Sequence, residues 1–394
     1  MPSLDEDHTG TRIRAQRKLR GYTQRHLAGL IPYSYSLLNQ VECGARPATA
    51  DFVAAVSRAL GVDVTILTGQ PYVTELQRDR LAELVRPIRE ALDLYDLGPN
   101  PDLTTRPADV LITEADRLCE EVRATHLRNA ARALPGTIAE LTHTAWSTPS
   151  TQLWQALAST YRTAHDISVK LGYYDLSAVA LDRMAWAAER ASDPCLAAVR
   201  QYMRALVYFR EGEYTIGQRL VAAGHGIVGQ AEATREALAI TGQLHLGASV
   251  ICARADDEAA VGRHITEAQS IAKRTGDASD VHWLSFGPAN VAMHRMSAAV
   301  EMGQYDSALK QARQIRLPAS VATSRRAHFL IDWARTELET GHTEKALEHL
   351  VDARRAAPEQ TRYHPGARET IRGLVHTARR TPDTLNHMAA WVGL

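Results

Sequence analysis

A small residue recurs through the second half of this chain. Gly172, Gly212, Ala255, Gly303 and Gly341 follow one another at intervals of 40, 43, 48 and 38 residues. Three of them precede a tyrosine by two positions (Tyr174, Tyr214, Tyr305), and each precedes a small residue by five (Ser177, Gly217, Ala260, Ala308, Ala346). Self-similarity at a near-constant period marks a chain built from stacked supersecondary units, none of which buries its apolar face alone. Helical periodicity runs from Gly69 almost to the end, so the units are helical and an all-α fold is expected. One Pro/Asn/Thr-rich stretch, Gly98 to Pro107, interrupts it as a loop. Before that loop, Glu75 to Tyr95 reads as one connecting helix, carrying Leu76, Leu81, Leu84, Val85, Ile88 and Leu92 and bent at Pro87. The expected organisation is a head over 1–70, a connector over 71–108 and a repeat body over 109–394.

Hydrophobic residues make up 45% and charged residues 23% of the 394, which excludes a disordered or fibrous chain. No stretch reads as a run of some 20 apolar residues, and Met1 to Gly10 is acidic and polar rather than a leader, so a cytoplasmic address without membrane contact is expected. Cys43, Cys119, Cys195 and Cys252 are too scattered for a disulfide or zinc framework, and the 16 histidines lack ligand spacing; neither metal nor cofactor is expected. Phosphate-loop, dinucleotide, zinc-protease and nucleophile-elbow motifs are all missing, so no enzyme is expected. Net charge is zero overall but uneven. Between Thr11 and Pro47 stand seven cations, Arg12, Arg14, Arg17, Lys18, Arg20, Arg25 and Arg46, against one carboxylate, Glu42. Such a lobe attracts a polyanion, most economically a nucleic-acid backbone.

The same block reads as five short helices. The first ends at Gly21; Thr23 caps a second to Leu30, with Leu27 and Leu30 facing inward; Ser34 caps a third to about Cys43; Ala48 to Leu60 is a fourth and Val64 to Leu67 the last. The run Gly21-Tyr22-Thr23-Gln24, Leu27-Ala28, Ser34, Val41-Glu42, Gly44, Arg46-Pro47 and Leu60-Gly61-Val62 resembles the XRE (Cro and lambda-repressor-like) helix-turn-helix domain. It departs in the turn, where Pro32 and Tyr33 replace the usual Gly and Val. On the third helix, Leu37, Leu38 and Val41 face the block's own core. Tyr35, Ser36, Asn39, Gln40 and Cys43 lie opposite, and Tyr35, Ser36, Asn39 and Gln40 are the candidate base readers: Asn and Gln match the paired donor and acceptor of adenine. Gln24 matches a family position that contacts phosphate and steadies a reading side chain. Arg12, Arg14, Arg17, Lys18 and Arg46 are the expected phosphate contacts. One such module binds weakly alone, so a homodimer on a pseudo-palindromic double-stranded operator is expected.

The repeat, with Leu350, Ala353 and Pro358 closing its last copy, resembles the tetratricopeptide repeat (TPR). There glycine sits in the turn between two antiparallel helices, a small residue lets them approach, and the stacked units form a concave groove. Repeat phase places Arg162, Asp166, Tyr202, His245, Asn290, Met293, His328 and Arg335 on the inner side, with His294 one turn beyond Asn290. These, Asp166 apart, are the candidate ligand contacts, Asn290 foremost because its amide both donates and accepts. Trp283 and Phe286 are expected in the core. The segment from Phe286 to His294 resembles a motif, FGPxNVxxH, frequent in actinomycete regulators with an XRE head and a TPR-like body. The layout resembles the RRNPP quorum-sensing regulators, which implies a sequence-specific transcriptional regulator modulated by a signalling peptide or a small molecule. The alternative is a TPR-type interaction scaffold with a vestigial head, and a third reading is an enzyme with an unrecognised site in the body.

Overall fold

The computed structural model describes residues 8–378 and 381–394, so the first seven residues of the expected head lie outside the description. Among the described residues the chain is all-helical, with a lone bridge between Ala278 and Phe286 as its sole extended pairing. The head holds α1 (Thr9–Leu19), α2 (Gln24–Leu30), α3 (Tyr35–Glu42), α4 (Ala50–Leu60) and α5 (Val64–Thr68). Each start has a physical cause: His8, Thr23, Ser34, Thr49 and Asp63 accept a hydrogen bond from a backbone N–H of the first turn that no carbonyl of the helix can meet. Ile13, Leu27, Leu38, Val41, Phe52, Val56, Leu60 and Leu67 close over a common core. Leu30 does not join it: it is 51% exposed, because α2 ends there and only Leu27 lies on the inward face.

The connector is two helices, α6 (Val73–Arg78) and α7 (Ala82–Asp93), rather than one. The break falls at Arg80, whose φ of 56° ends α6, and Pro87 is accommodated within α7. The loop expected after it is present between Asp93 and Ala108.

The body is a succession of helical hairpins: α8 (Ala108–Arg123) with α9 (Leu127–Ser147), α10 (Thr151–Leu171) with α11 (Tyr174–Ala191), α12 (Pro194–Glu211) with α13 (Tyr214–Val228), α14 (Arg235–Arg254) with α15 (Glu258–Thr275), α16 (Pro288–Glu301) with α17 (Tyr305–Gln314), and α18 (Thr323–Glu339) with α19 (Thr343–Ala356). Three further helices follow, α20 (Pro358–Tyr363), α21 (Pro365–Thr377) and α22 (Asp383–Val392). The recurring small residues at 172, 212, 255, 303 and 341 all stand in hairpin turns, and Ser177, Gly217, Ala260, Ala308 and Ala346 are all buried where the second helix begins. Where the turn residue is Ala255, the next residue, Asp256, takes the left-handed conformation that glycine takes elsewhere. The hairpin α8–α9 belongs to the same series; its left-handed turn residue is Thr125, which no glycine spacing could flag.

First helices touch along the series, α8 to α10, α12 to α14, α14 to α16 and α16 to α18, and the row then returns on itself, α18 touching α8 and α20 touching α10. Arg128 on α9 donates its backbone N–H to Glu359, and Lys170 donates to Gln360 across the same seam. One helix, Arg235–Arg254, is long and apolar enough to span a membrane by composition, contrary to the reading of the sequence; 78% of that window is buried inside the body, of which it is a central helix.

Phe286, expected in the core, is fully buried, and its ring stands on α14 where Gly242 leaves room that a Cβ would fill. Replacing Phe286 by Ala removes that contact and leaves a cavity, so equilibrium urea unfolding should show a loss of about 3–5 kcal/mol.

Candidate nucleic-acid interface and interior site

In the head, the local sequence presents α3 outward. Leu38 and Val41 are buried, whereas Tyr35, Ser36, Asn39, Gln40 and Cys43 are exposed on the opposite side, clear of the body. Gln24, the first residue of α2, ties that helix to three side chains of α3. Its side-chain N–H groups donate to Asn39 Oδ1 (3.3 Å) and Glu42 Oε2 (2.8 Å), and its Oε1 accepts from the Tyr35 hydroxyl (3.3 Å). Arg14 and Lys18 are exposed and Arg12 is half-buried with one N–H donated to the carbonyl of Thr68. Arg46 lies 3.6 Å from Glu339 of the body.

Arg17, expected at the phosphates, lies inside the head instead. Its guanidinium is buried and forks onto Glu42 at 2.6 and 2.8 Å, with a third N–H on the carbonyl of Tyr22. The only carboxylate of the basic lobe therefore holds an arginine inside the head, joining the end of α1 to the end of α3, and that arginine is not available to phosphate. Glu42 holds the Arg17 cation in its charged form by this hydrogen bond, against the opposing effect of burial.

Tyr33 explains the unusual turn. It packs on Phe52 at 5.1 Å between ring centres and donates to Asp51, which also accepts from Tyr214 of the α12–α13 turn at 2.6 Å. The turn between α2 and α3 is thus wired through one carboxylate to the body. Arg58 donates to the carbonyl of Gly212 in the same body turn, where a Cβ would lie 2.9 Å from Ala54. On the other flank Thr9 donates to Glu369 at 2.8 Å and Pro47 packs at Gly373. The head consequently rests on two separated parts of the body.

Inside the body, the inner-face residues divide. Arg162 is 2% exposed; one N–H reaches the carbonyl of His282, while Nε and Nη2 have no hydrogen-bond partner, and Nε lies 3.8 Å from Asp166. Asn290, 2% exposed, donates to Gln243 at 3.4 Å and leaves Oδ1 unpartnered. Gln243 in turn donates to the Tyr202 hydroxyl at 2.8 Å, so Tyr202, Gln243 and Asn290 form a row across three successive first helices, α12, α14 and α16. His294 sits against the Asn290 carbonyl at 2.9 Å, and His328 lies 3.7 Å from Asp332 and 5.3 Å, ring centre to ring centre, from His364.

Three expected ligand contacts do not line this space. Met293 is packed with Met296, Val300 and Phe329 in the core between α16 and α18. His245 faces the second helices instead, 4.4 Å from the His225 ring and 2.9 Å, Nδ1 to Nδ1, from His264. Arg335 is committed to Glu301, at 3.8 Å, and to Tyr305.

Sequence reasoning missed Arg123, Lys170, Arg325, His165 and His364. Lys170 extends the stripe Arg162–Asp166–Lys170 by one more turn of α10, a signal that was open to reading. Arg325 stands three residues before His328 on α18. Arg123 and His364 come from segments without a turn glycine to set the phase. Burial pulls His165 down to about 4 and His294, His328 and His364 to about 3, and Arg325 adds to the pull on His294 and His328. The segment from Val281 to Phe286 crosses beside this cluster. His282 pairs with Glu236 at 2.6 Å and the Trp283 indole donates to Asp116 of α8 at 3.3 Å, with His282, Trp283 and Ser285 all at positive φ. A surface cleft of about 650 Å³ between α16 and α17, lined by Pro288, Arg295 and Arg316 among others, shares no residue with the interior cluster.

Residues 8–67 match the model of a helix-turn-helix domain, so the head is such a domain, joined to a TPR-like helical body. The HTH-type transcriptional regulator RamB of Mycobacterium tuberculosis, in two strains, is 30% identical over 95 residues, which are 24% of this chain. The match spans 20% of RamB, about a fifth of that relative's length. Among solved structures, Bacillus thuringiensis PlcR in complex with the peptide PapR7 and DNA is similar at 12% identity with a TM-score of 0.36, covering 79% of this chain and 94% of that one.

Two outcomes follow from this geometry. Arg17→Met should destabilise the head by about 3–5 kcal/mol, because it leaves Glu42 buried without its partner; denaturant unfolding reads that loss. The four lowered histidines take up protons on unfolding at any pH between their folded values of about 3–4 and the ordinary 6.5. Their contribution to stability is complete above 6.5 and lost as pH falls through that window, so Tm should drop from pH 7 to pH 5 with net proton uptake on unfolding.

Proposed function

We propose that this chain is a sequence-specific DNA-binding transcriptional regulator whose TPR-like body binds an effector, a peptide or a small molecule, that changes how the heads are held. The observation that carries the reading is the exposed polar stripe of α3, Tyr35, Ser36, Asn39 and Gln40, on the second helix of a helix-turn-helix, with Gln24 bonded to two of its members. A helix so presented fits a major groove, where Asn39 and Gln40 meet base edges in paired fashion. Arg12, Arg14, Lys18 and Arg46 then take the phosphates.

A single module of this size buries only about 600–1,000 Å² on DNA. Two heads on half-sites about 34 Å apart supply the affinity of a specific regulator, so the acting species is a homodimer on a pseudo-palindrome. The row Tyr202–Gln243–Asn290, with the orphaned Asn290 Oδ1, is the part of the interior suited to an effector's polar groups.

Selection of bound fragments from genomic DNA, followed by footprinting, should yield a two-fold site with half-sites one helical turn apart. With about four cations per head on phosphate, operator affinity should fall by roughly 10³–10⁵ between about 50 and about 200 mM salt. Asn39→Ala or Gln40→Ala should relax preference at one base position of each half-site by about 1–3 kcal/mol, whereas Lys18→Ala should weaken all sites alike and reduce the salt slope of the dimer by about two, one per head. A flat salt response, or unaltered base preference in both α3 variants, would overturn the reading.

A further inference from the structure

Four cations converge where the last hairpins return to the first. Arg123 ends α8, Arg162 and Lys170 lie two turns apart on α10, and Arg325 comes from α18. Each is electrostatically coupled to at least one of the others: Arg162 to Arg123, Lys170 to both Arg123 and Arg325, and Arg325 to Arg123. Among the described residues, two carboxylates face them. Asp166 accepts from Arg123 at 2.6 Å and lies beside Arg162; Asp332, further along α18, accepts from Ser297 and is itself pushed toward its neutral form by burial and by Glu301. Glu301 is already taken by Arg254 and Arg335. His165, His294, His328 and His364 stand in the same region uncharged at neutral pH.

Positive charge is therefore in excess inside the protein, and part of its hydrogen-bonding capacity is unspent. Nε of Arg123, Nε and Nη2 of Arg162, and Nε of Arg325 all lack partners although buried. Uncompensated interior cations cost several kcal/mol each unless a counter-charge meets them. The surroundings agree: burial and the Arg123 charge lower the pKa of Arg162, and lower Lys170 to about 8. The cluster is also reached by solvent, since Arg325 and Lys170 are only half-buried.

We propose that Arg123, Arg162, Lys170 and Arg325 form the seat of an oxyanion, a carboxylate or phosphate group carried by the effector, which ties the first hairpins to α18. Guanidinium groups presenting several free N–H donors suit a planar or tetrahedral oxyanion better than a halide. Asn290 Oδ1 remains as an acceptor for a donor elsewhere on the same molecule. This assignment rests on the sensing role proposed above for the body, and gives the effector its charge.

The test uses the full-length protein, with thermal unfolding and titration calorimetry against inorganic phosphate and against citrate, each compared with chloride at matched ionic strength. Phosphate, citrate or both should raise Tm where chloride does not; which of the two acts assigns the group. Arg162→Met and Arg325→Met should each weaken binding by about tenfold or more, and the Tm of Arg325→Met without oxyanion should equal or exceed that of the parent, since it removes an interior charge that no carboxylate pairs, whereas Arg162 also serves Asp166 and the His282 carbonyl. A parent that responds to neither oxyanion, a response undiminished in both variants, or an Arg325→Met variant less stable than the parent without any anion would overturn the seat. Operator affinity is measured separately: an oxyanion that binds at this cluster without altering DNA affinity supports the seat and removes the sensing role.

Discussion

The body depends on how closely the two helices of each hairpin can approach. At the start of each second helix of the repeat stands a side chain no larger than serine, and all of them are buried. A bulkier residue there would hold the axes apart and alter the angle at which the next unit stacks, because a packed interior transmits displacement rather than absorbing it. Repeated along the series, this approach sets a curvature tight enough to bring α18 and α20 back against α8 and α10. The same turns serve a second purpose. Gly212 is left-handed, as a helix-ending turn requires, and its missing Cβ admits Ala54 and Arg58 of the head. Body geometry and head position are thus fixed by the same small residues.

The returning ends meet through polar and charged groups rather than through a dry apolar interface. Lys170 with Gln360, Arg128 with Glu359, and Asp79 with Arg362 and Tyr363 make the seam, and the four interior cations lie beside it. Hydrophobic clusters fill the space between hairpins, but the inner face of the first helices is given over to arginine, histidine, tyrosine and amide side chains. A chain selected for stability alone would fill such a space with leucine, since replacing buried ionic groups by well-packed apolar ones is often neutral or favourable. Retention of charge there is what the effector site proposed above would require.

Much of this was legible in the sequence, and the parts that were not share a cause. Spacing of turn glycines located five hairpins, because a left-handed turn residue is a local demand that sequence records directly. The hairpin α8–α9 escaped because Thr125 meets that demand without glycine, and Arg80 broke the connector in the same unannounced way. In the head, helix starts were readable from caps, and the outward face of α3 from its periodicity. Which neighbour a polar residue meets is not local. Arg17 counted as a surface cation until Glu42, 25 residues on, was placed beside it. Met293 and His245 have the phase of inner residues, but a wheel does not say whether α16 and α14 turn that face to the bore or to the adjoining helices.

The seating of the head joins these observations. One flank is held at the α12–α13 turn, where Asp51 accepts from Tyr214 and from Tyr33 of the helix-turn-helix turn itself. The other flank meets α18 and α21, through Arg46 with Glu339 and Thr9 with Glu369. The second of these flanks adjoins the seam where α18 meets α8, whereas the α12–α13 turn stands away from it, so a change in closure between α8 and α18 would shift one support of the head relative to the other. The Arg46–Glu339 contact is long, at 3.6 Å, and half-exposed, of a kind worth little on its own and easily exchanged for phosphate. Because operator recognition by a two-fold pair requires half-site spacing to match the helical repeat of DNA, a small rotation at such supports suffices to separate a matching arrangement from a mismatched one. A ligand that drives the choice nearly to completion must favour one arrangement by about 10⁴-fold. In the oxyanion seat proposed above, an anion that bridges cations which otherwise repel one another would be a direct physical source of such a preference.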